Sequence, residues 1–240
     1  MNNTFTVQFS NLNIEVQSRY QFMQDFCRDY ITDYEPEFSV QADPSDVARQ
    51  MSLSSEPTTI EYAEALQLYR EMAERLPAYG RAVFHGAAIE YEGQAYLFSG
   101  PSGVGKTTHI NLWRHYLGEK VGIINGDKPI LLMENDNIIV CGNPYAGKEG
   151  WHRNVSYPLA GICLLSQGDS NTIIRLSQEQ AFTQLYQQIY RPHGADAIVH
   201  TIEILRQLAS VPCYQLTCDI SQSAVSAAFT ALIGNEYTEK

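Results

Sequence analysis

The chain has 240 residues, 44% of them hydrophobic and 18% charged, with a formal net charge of −11. That length suits one large domain or a small unit beside a larger one, and the composition is that of a globular protein. The acidic balance argues against a nucleic-acid-binding surface, and no run of 18 apolar residues is present to make a transmembrane helix.

The opening residues, Met1 to Val7, lack the basic and apolar regions of a secretory leader. Cys27, Cys141, Cys163, Cys213 and Cys218 make an odd number, and Cys141 and Cys163 sit inside apolar runs where Cys behaves as a small hydrophobe. Neither a disulfide framework nor a zinc site is expected, which points to a reducing cytoplasm. Residues 5–9 and 12–16 alternate and predict two strands around Ser10-Asn11. Phe22, Phe26 and Tyr30 are four apart and predict a helix over residues 20–31. A strand is expected at 38–41, then a short helix started by Asp43-Pro44. Thr58-Thr59-Ile60-Glu61 reads as a capping box for a helix to about Leu76, with Leu66, Tyr69, Met72, Ala73 and Leu76 on its buried face. Residues 77–80 form a plausible boundary, dividing a small α+β unit (1–80) from a second domain (81–240).

The second part is rich in strands. Residues 82–91 and 94–99 predict a hairpin around Glu92-Gly93. Gly100-Pro-Ser-Gly-Val-Gly-Lys-Thr107 then fits G-x-x-x-x-G-K-[ST], the phosphate-binding loop pattern, and a helix is expected from Thr107, with Ile110, Trp113 and Leu117 at helical spacing. The pattern has a mechanism. Gly100, Gly103 and Gly105 let successive N–H groups turn inward toward phosphate oxygens. Lys106 supplies a positive charge for the β- and γ-phosphates, and the Thr107 hydroxyl suits Mg²⁺. The expected nucleotide-binding run is Gly100, Ser102, Gly103, Val104, Gly105, Lys106, Thr107 and Thr108, for ATP or another nucleoside triphosphate. Further strands are expected at 121–125, 129–133, 138–141, 159–165 and 172–176, the last two as a hairpin around Gly168-Asp169. Ser177 to Gln180 caps a helix, two helical stretches follow, and a strand at 213–216 precedes a last helix from about Ser221. Hairpins on both sides of the loop imply a mixed sheet.

This layout, with His85-Gly86 two strands before the loop, the loop itself, and Ile124-Asn125-Gly126-Asp127 after the next strand, resembles the HPr kinase/phosphorylase and phosphoenolpyruvate carboxykinase type of P-loop protein. The stretch from Gly142 to Asn154 looks like that of small stand-alone HPr-kinase-like proteins, some of which phosphorylate a peptide hydroxyl. The resemblance covers roughly residues 80–180. It implies an α/β fold with a hairpin-rich mixed sheet, and an ATP- and Mg²⁺-dependent kinase acting on a hydroxyl. The acceptor it favours is a Ser or Thr of a peptide or protein, with a small molecule also open.

Asp127, at the end of an apolar strand, is the expected metal ligand beside Thr107, its alternative being a turn residue in Asn-Gly-Asp-Lys-Pro. The resembled kinases carry two adjacent Asp residues here. This chain has Gly126 in the first place, which leaves the proton acceptor to Asp127 itself or to His85. Lys148, Glu149, His152 and Arg153, in a polar glycine-containing loop with Trp151, are expected at the acceptor or nucleotide; the alternative is a solvated loop. His109, His115, His193 and His200 read as structural or exposed. Two other functions compete. One is a nucleotide-binding partner protein without turnover, kept open by Gly126. The other is a carboxykinase-like enzyme, disfavoured by the lack of a basic cluster outside 148–153. The oligomeric state, a homo-oligomer included, is left open.

Overall fold

A computed structural model describes residues 3–53 and 57–234. The N-terminal part is a four-stranded sheet, order β3-β1-β2-β4, made of β1 (Asn3–Phe9), β2 (Leu12–Ser18), β3 (Ile31–Thr32) and β4 (Phe38–Gln41). Helices α1 (Gln21–Phe26), α2 (Pro44–Leu53) and α3 (Ile60–Arg75) accompany it. The first hairpin turns on Ser10 and Asn11, both left-handed at φ 48° and 59°, the twist that a two-residue connection needs. The helix expected over residues 20–31 stops at Phe26 and gives way to a 3₁₀ turn, Arg28–Tyr30. Tyr30 is buried there and packs edge-on against Phe9 at 5.3 Å, so tertiary packing overrides the helical period. At α3 the capping hydroxyl is that of Thr59, accepting from the Tyr62 N–H at 3.3 Å, one residue later than the Thr58–Glu61 box predicts.

The second part is a curled, nine-stranded mixed sheet between helices. Its strands are β5 (Arg81–Val83), β6 (Gly86–Tyr91), β7 (Gln94–Ser99), β8 (Val121–Asn125), β9 (Ile130–Glu134), β10 (Asn137–Cys141), β11 (Ser156–Gln167), β12 (Thr172–Arg175) and β13 (Cys213–Cys218). The main path runs β5-β9-β10-β11-β7-β6-β8. The long β11 pairs with β10 through residues 156–158, then runs parallel to and between β7 and β13. The hairpin expected around Gly168-Asp169 does not form: β12 pairs with β13, which inserts beside β11. A parallel partner satisfies β11 on that side, and β12, mostly exposed, is left at the edge.

Strand alternation sends successive side chains to opposite faces. Leu97, Ile162 and Leu164 face α5 (Gln178–Leu185) and α6 (Ala195–Leu208), and Phe98, Cys163 and Leu165 face α4 (Lys106–Leu117) and α7 (Gln222–Ile233). Each such buried aliphatic side chain contributes about 1.5–3 kcal/mol, so both helical layers hold the same strands. The capping box at Ser177 and Gln180 that starts α5 is present in both directions.

The two parts share a core. Val7, Phe9, Ile14 and Val16 cluster with Leu68, Met72 and Leu76 of the first part and with Val83, Ile130, Leu132, Cys141 and Tyr145 of the second. Because β6 pairs antiparallel with both β7 and β8, those two strands run in one direction, and β11 and β13 share it. Their carboxyl ends therefore lie along one edge, where open α/β sheets bind ligands. Among the described residues no helix is long and apolar enough to cross a membrane.

His109, on the buried side of α4, accepts a hydrogen bond from the Trp113 indole at 3.1 Å, and burial pushes its pKa down to about 4. The unfolded chain, with a histidine near 6.5, takes up a proton first as pH falls. Stability from this group is complete above pH 6.5 and lost as pH falls toward 4, roughly 3 kcal/mol in all. Melting curves from pH 7 to 4.5 should show this fall, with a shallower slope in His109→Gln.

Candidate functional site

The site begins where β7 ends. Ser99, fully buried, donates its hydroxyl to the His85 carbonyl at 2.6 Å, fixing the end of the strand. The chain then turns through Gly100, Gly103 and Gly105 at φ 148°, 79° and 107°, a backbone that side chains disfavour. A Cβ on Gly100 would meet the Leu165 carbonyl oxygen at 2.8 Å, so the loop lies tight against β11. Gly105 caps α4 with no side-chain hydrogen bond, and the first-turn N–H groups of that helix face the cleft. Lys106 opens the helix and is nearly buried. Its Nζ donates to the carbonyls of Gly100 at 3.1 Å and Pro101 at 3.3 Å. Burial lowers its pKa, and the Asp127 carboxylate opposes that shift.

The facing wall comes from the end of β8. Asn125 is fully buried, and its Oδ1 accepts from the N–H groups of Asp127 at 2.9 Å and Lys128 at 2.7 Å. Its Nδ2 donates to the Asn143 carbonyl at 2.9 Å. This turn presents the Asp127 carboxylate, which is ion-paired with the Lys128 ammonium and lies 3.6 Å from His85 Nε2. His85 stands in a break between β5 and β6, where a single strand over 82–91 is predicted. The break is filled by a distant segment: His85 N donates to the Gln188 carbonyl at 2.7 Å, Tyr190 N to the Val83 carbonyl at 2.8 Å, and His85 Nδ1 lies 3.2 Å from Gln188 Oε1. With Nδ1–H donating to that carbonyl oxygen, Nε2 is the basic nitrogen and points at Asp127. Burial, then the charge of Lys106, lowers the His85 pKa, so the ring is neutral at pH 7.

Residues 142–154 strap this wall to the N-terminal part. Gly142 passes so close to the Arg153 carbonyl that no side chain fits. Asn143 Nδ2 donates to the Lys128 carbonyl at 2.7 Å, and Tyr145, buried and stacked 3.8 Å from Tyr69, donates its hydroxyl to the Ala65 carbonyl. The tip of the strap turns back over Asp127: Gly147, Lys148 and Glu149 line the cleft.

The resulting cleft, about 410 Å³, brings together His85, Ser102, Gly103, Gly105, Lys106, Thr107, Thr108, Asp127, Lys148 and Glu149. Gly100 and Val104 belong to the same loop, and Val104 lines a second cleft of about 390 Å³ on its other side, shared through Gly103, Gly105 and Thr108. The structure does not bring His152 and Arg153 into the first cleft. His152 lies 3.0 Å from the Tyr30 hydroxyl, and burial lowers its pKa. Arg153 donates to the Ile123 carbonyl at 2.7 Å, lies over Gly122 and reaches Glu90 at 3.8 Å. Three residues of the site are absent from the predicted set. Asn125 was legible as part of the Ile124–Asp127 segment without a role of its own, and Lys128 only as part of the turn Asn-Gly-Asp-Lys-Pro. Gln188 gives no local signal, because it meets His85 across 103 residues of chain.

No protein-family model matches this chain, and no curated protein matches it. Among solved structures, the chain is distantly similar to the Hpr(Ser) kinase/phosphatase from Coxiella burnetii. The TM-score is 0.35 and the identity 9%, over 63% of this chain and 93% of that one.

The turn leaves no room for a side chain at Gly126. Its N–H donates to the Trp151 carbonyl at 2.9 Å, and a Cβ there would lie 2.9 Å from the Ala146 carbonyl oxygen. Gly126→Asp should destabilise the fold by about 1–3 kcal/mol through overpacking. Urea denaturation should show a lower midpoint at unchanged slope. An unchanged midpoint would mean that the strap yields freely.

Proposed function

We propose that the chain is an ATP- and Mg²⁺-dependent kinase that phosphorylates a hydroxyl. The observation that carries this reading is the placing of Lys106, Thr107 and the open amino end of α4 across one cleft from Asp127. Nucleotide and metal fit the residues present. Gly103 and Gly105 have no atom within 4 Å of a built Cβ, so the loop leaves an open cradle of N–H groups beside a cation. Thr107 and Asp127 offer hard oxygen donors, the set that Mg²⁺ prefers. When bound, Mg²⁺ supplies charge neutralisation at the β- and γ-phosphates. The cleft on the far side of the loop suits the nucleoside half, since Gly103, Gly105 and Thr108 line both.

The chain's own residues then have separate tasks. The loop N–H groups and Lys106 hold the phosphates and offset charge in the transition state. Thr107 and Asp127 hold the metal, and Lys148 at the strap tip adds a cation over the cleft. The acceptor oxygen bonds to the γ-phosphorus as the bond to the β–γ bridging oxygen breaks, its electron pair leaving on the nucleoside diphosphate. The hydroxyl proton passes to His85 Nε2, which burial keeps neutral and available. Binding without turnover is the rival reading. It is favoured by the Lys128 ion pair that already engages Asp127.

A binding measurement tests both readings, and a transfer assay separates them. Mg·ATP at 100-fold above its Kd should stabilise the fold by about 2.7 kcal/mol in thermal melts, and no shift at millimolar nucleotide would remove both readings. With any competent acceptor, Lys106→Ala should abolish transfer while the fold persists. Asp127→Asn should be more damaging than His85→Ala, whose proton transfer contributes about 10²- to 10⁴-fold. A dead His85→Ala enzyme beside an Asp127→Asn enzyme of unchanged Mg²⁺ dependence would reverse the roles. Nucleotide binding without ADP release under any acceptor would favour the rival.

A further inference from the structure

We infer that the acceptor binds in a separate cavity behind His85 and Lys128, and that it is a compact hydroxyl compound bearing a free carboxylate. This rests on the kinase reading above and names its second substrate by chemistry.

The cavity, about 520 Å³, lies between α3 and residues 187–191 and is of the size that holds a small molecule. Its position is the first argument. His85 and Lys128 line it, and both also approach the Asp127 carboxylate. His85 also lines the loop cleft, so its imidazole is a wall common to the two spaces, and it is the group the kinase reading assigns to the acceptor proton.

Charge is the second argument. In a chain of net charge −11, the cavity is lined by Arg70, Arg191, Lys128 and His85 and by no Asp or Glu among the described residues. Arginine presents paired N–H donors that match a carboxylate. Shape is the third. Leu66, Ala73, Val83 and Ile189 give an apolar lining. The Tyr69 ring is a fixed wall, stacked on Tyr145 and with its hydroxyl donating to the Lys128 carbonyl at 2.9 Å. Gln50 adds a polar side chain to the lining. An internal serine of a folded protein lacks the free carboxylate. A single amino-acid-sized hydroxy acid has it.

The test compares N-acetyl-L-serine with N-acetyl-L-serinamide, which differ only in the carboxylate. Thermal shift and ADP release are read on the full chain. N-acetyl-L-serine should stabilise the protein and, with Mg·ATP, release ADP, and the amide should be at least tenfold weaker in both. The Arg70→Glu/Arg191→Glu variant changes two exposed side chains away from the loop. It should lose at least tenfold in its response to N-acetyl-L-serine and keep the wild-type shift with Mg·ATP, which also reports that it is folded. Equal responses to acid and amide, no response to either, or a charge-reversed variant that responds like wild type would overturn the inference. Failure of the Mg·ATP shift would instead remove the kinase reading, with carboxylate binding still measured on its own.

Discussion

The carboxamide of Asn125 is the contact on which the rest of the site depends. It is buried without solvent contact and makes three hydrogen bonds, two inward to its own turn and one outward to the Asn143 carbonyl. A buried amide left unsatisfied costs about 1–3 kcal/mol per group, so this turn has one arrangement rather than several. That arrangement aims the Asp127 carboxylate at the glycine loop and seats the strap over it. The carboxylate and the loop belong to strands that run the same way without being neighbours, since β6 lies between them. Their meeting is therefore a property of the sheet order, and Asn125 is what fixes its final ångström.

Much of the fold was legible in the sequence because it is local. Three two-residue turns, at Ser10-Asn11, Glu92-Gly93 and Asn135-Asp136, carry left-handed backbone at both positions, and each joins strands whose alternation is plain. The glycine loop was legible for the same reason: strand, loop and helix follow one another within 24 residues. What was not legible depends on partners far away. The insertion of β13 beside β11 brings together residues about 50 apart, and nothing in the short, exposed β12 says that its neighbour comes from the end of the chain. The break at Phe84-His85 likewise exists because residues 188–190 fill it.

The polar loop after Gly142 illustrates both cases at once. Density of charge and glycine marked it as functional, and its tip does line the cleft. The same density could not separate Lys148 and Glu149 from His152 and Arg153, which lie three to five residues further along and turn away. Arg153 is drawn to a backbone carbonyl and Glu90, and His152 to Tyr30, because the strap must also anchor itself. Composition counts such residues alike, whereas geometry divides them between chemistry and support.

The shared core has a consequence for how this protein can be handled. Val83, Ile130, Leu132, Cys141 and Tyr145 are covered by the N-terminal sheet and α3 rather than by their own domain. Cutting the chain near residue 80 would uncover them together as one contiguous oily patch, of the kind that drives aggregation. The glycine loop would survive such a cut on paper, with every residue of its pattern intact. The fragment carrying it would be a poor reagent, since the Tyr69 hydroxyl and the Ala65 carbonyl that steady the Asp127 wall would have gone with the discarded piece.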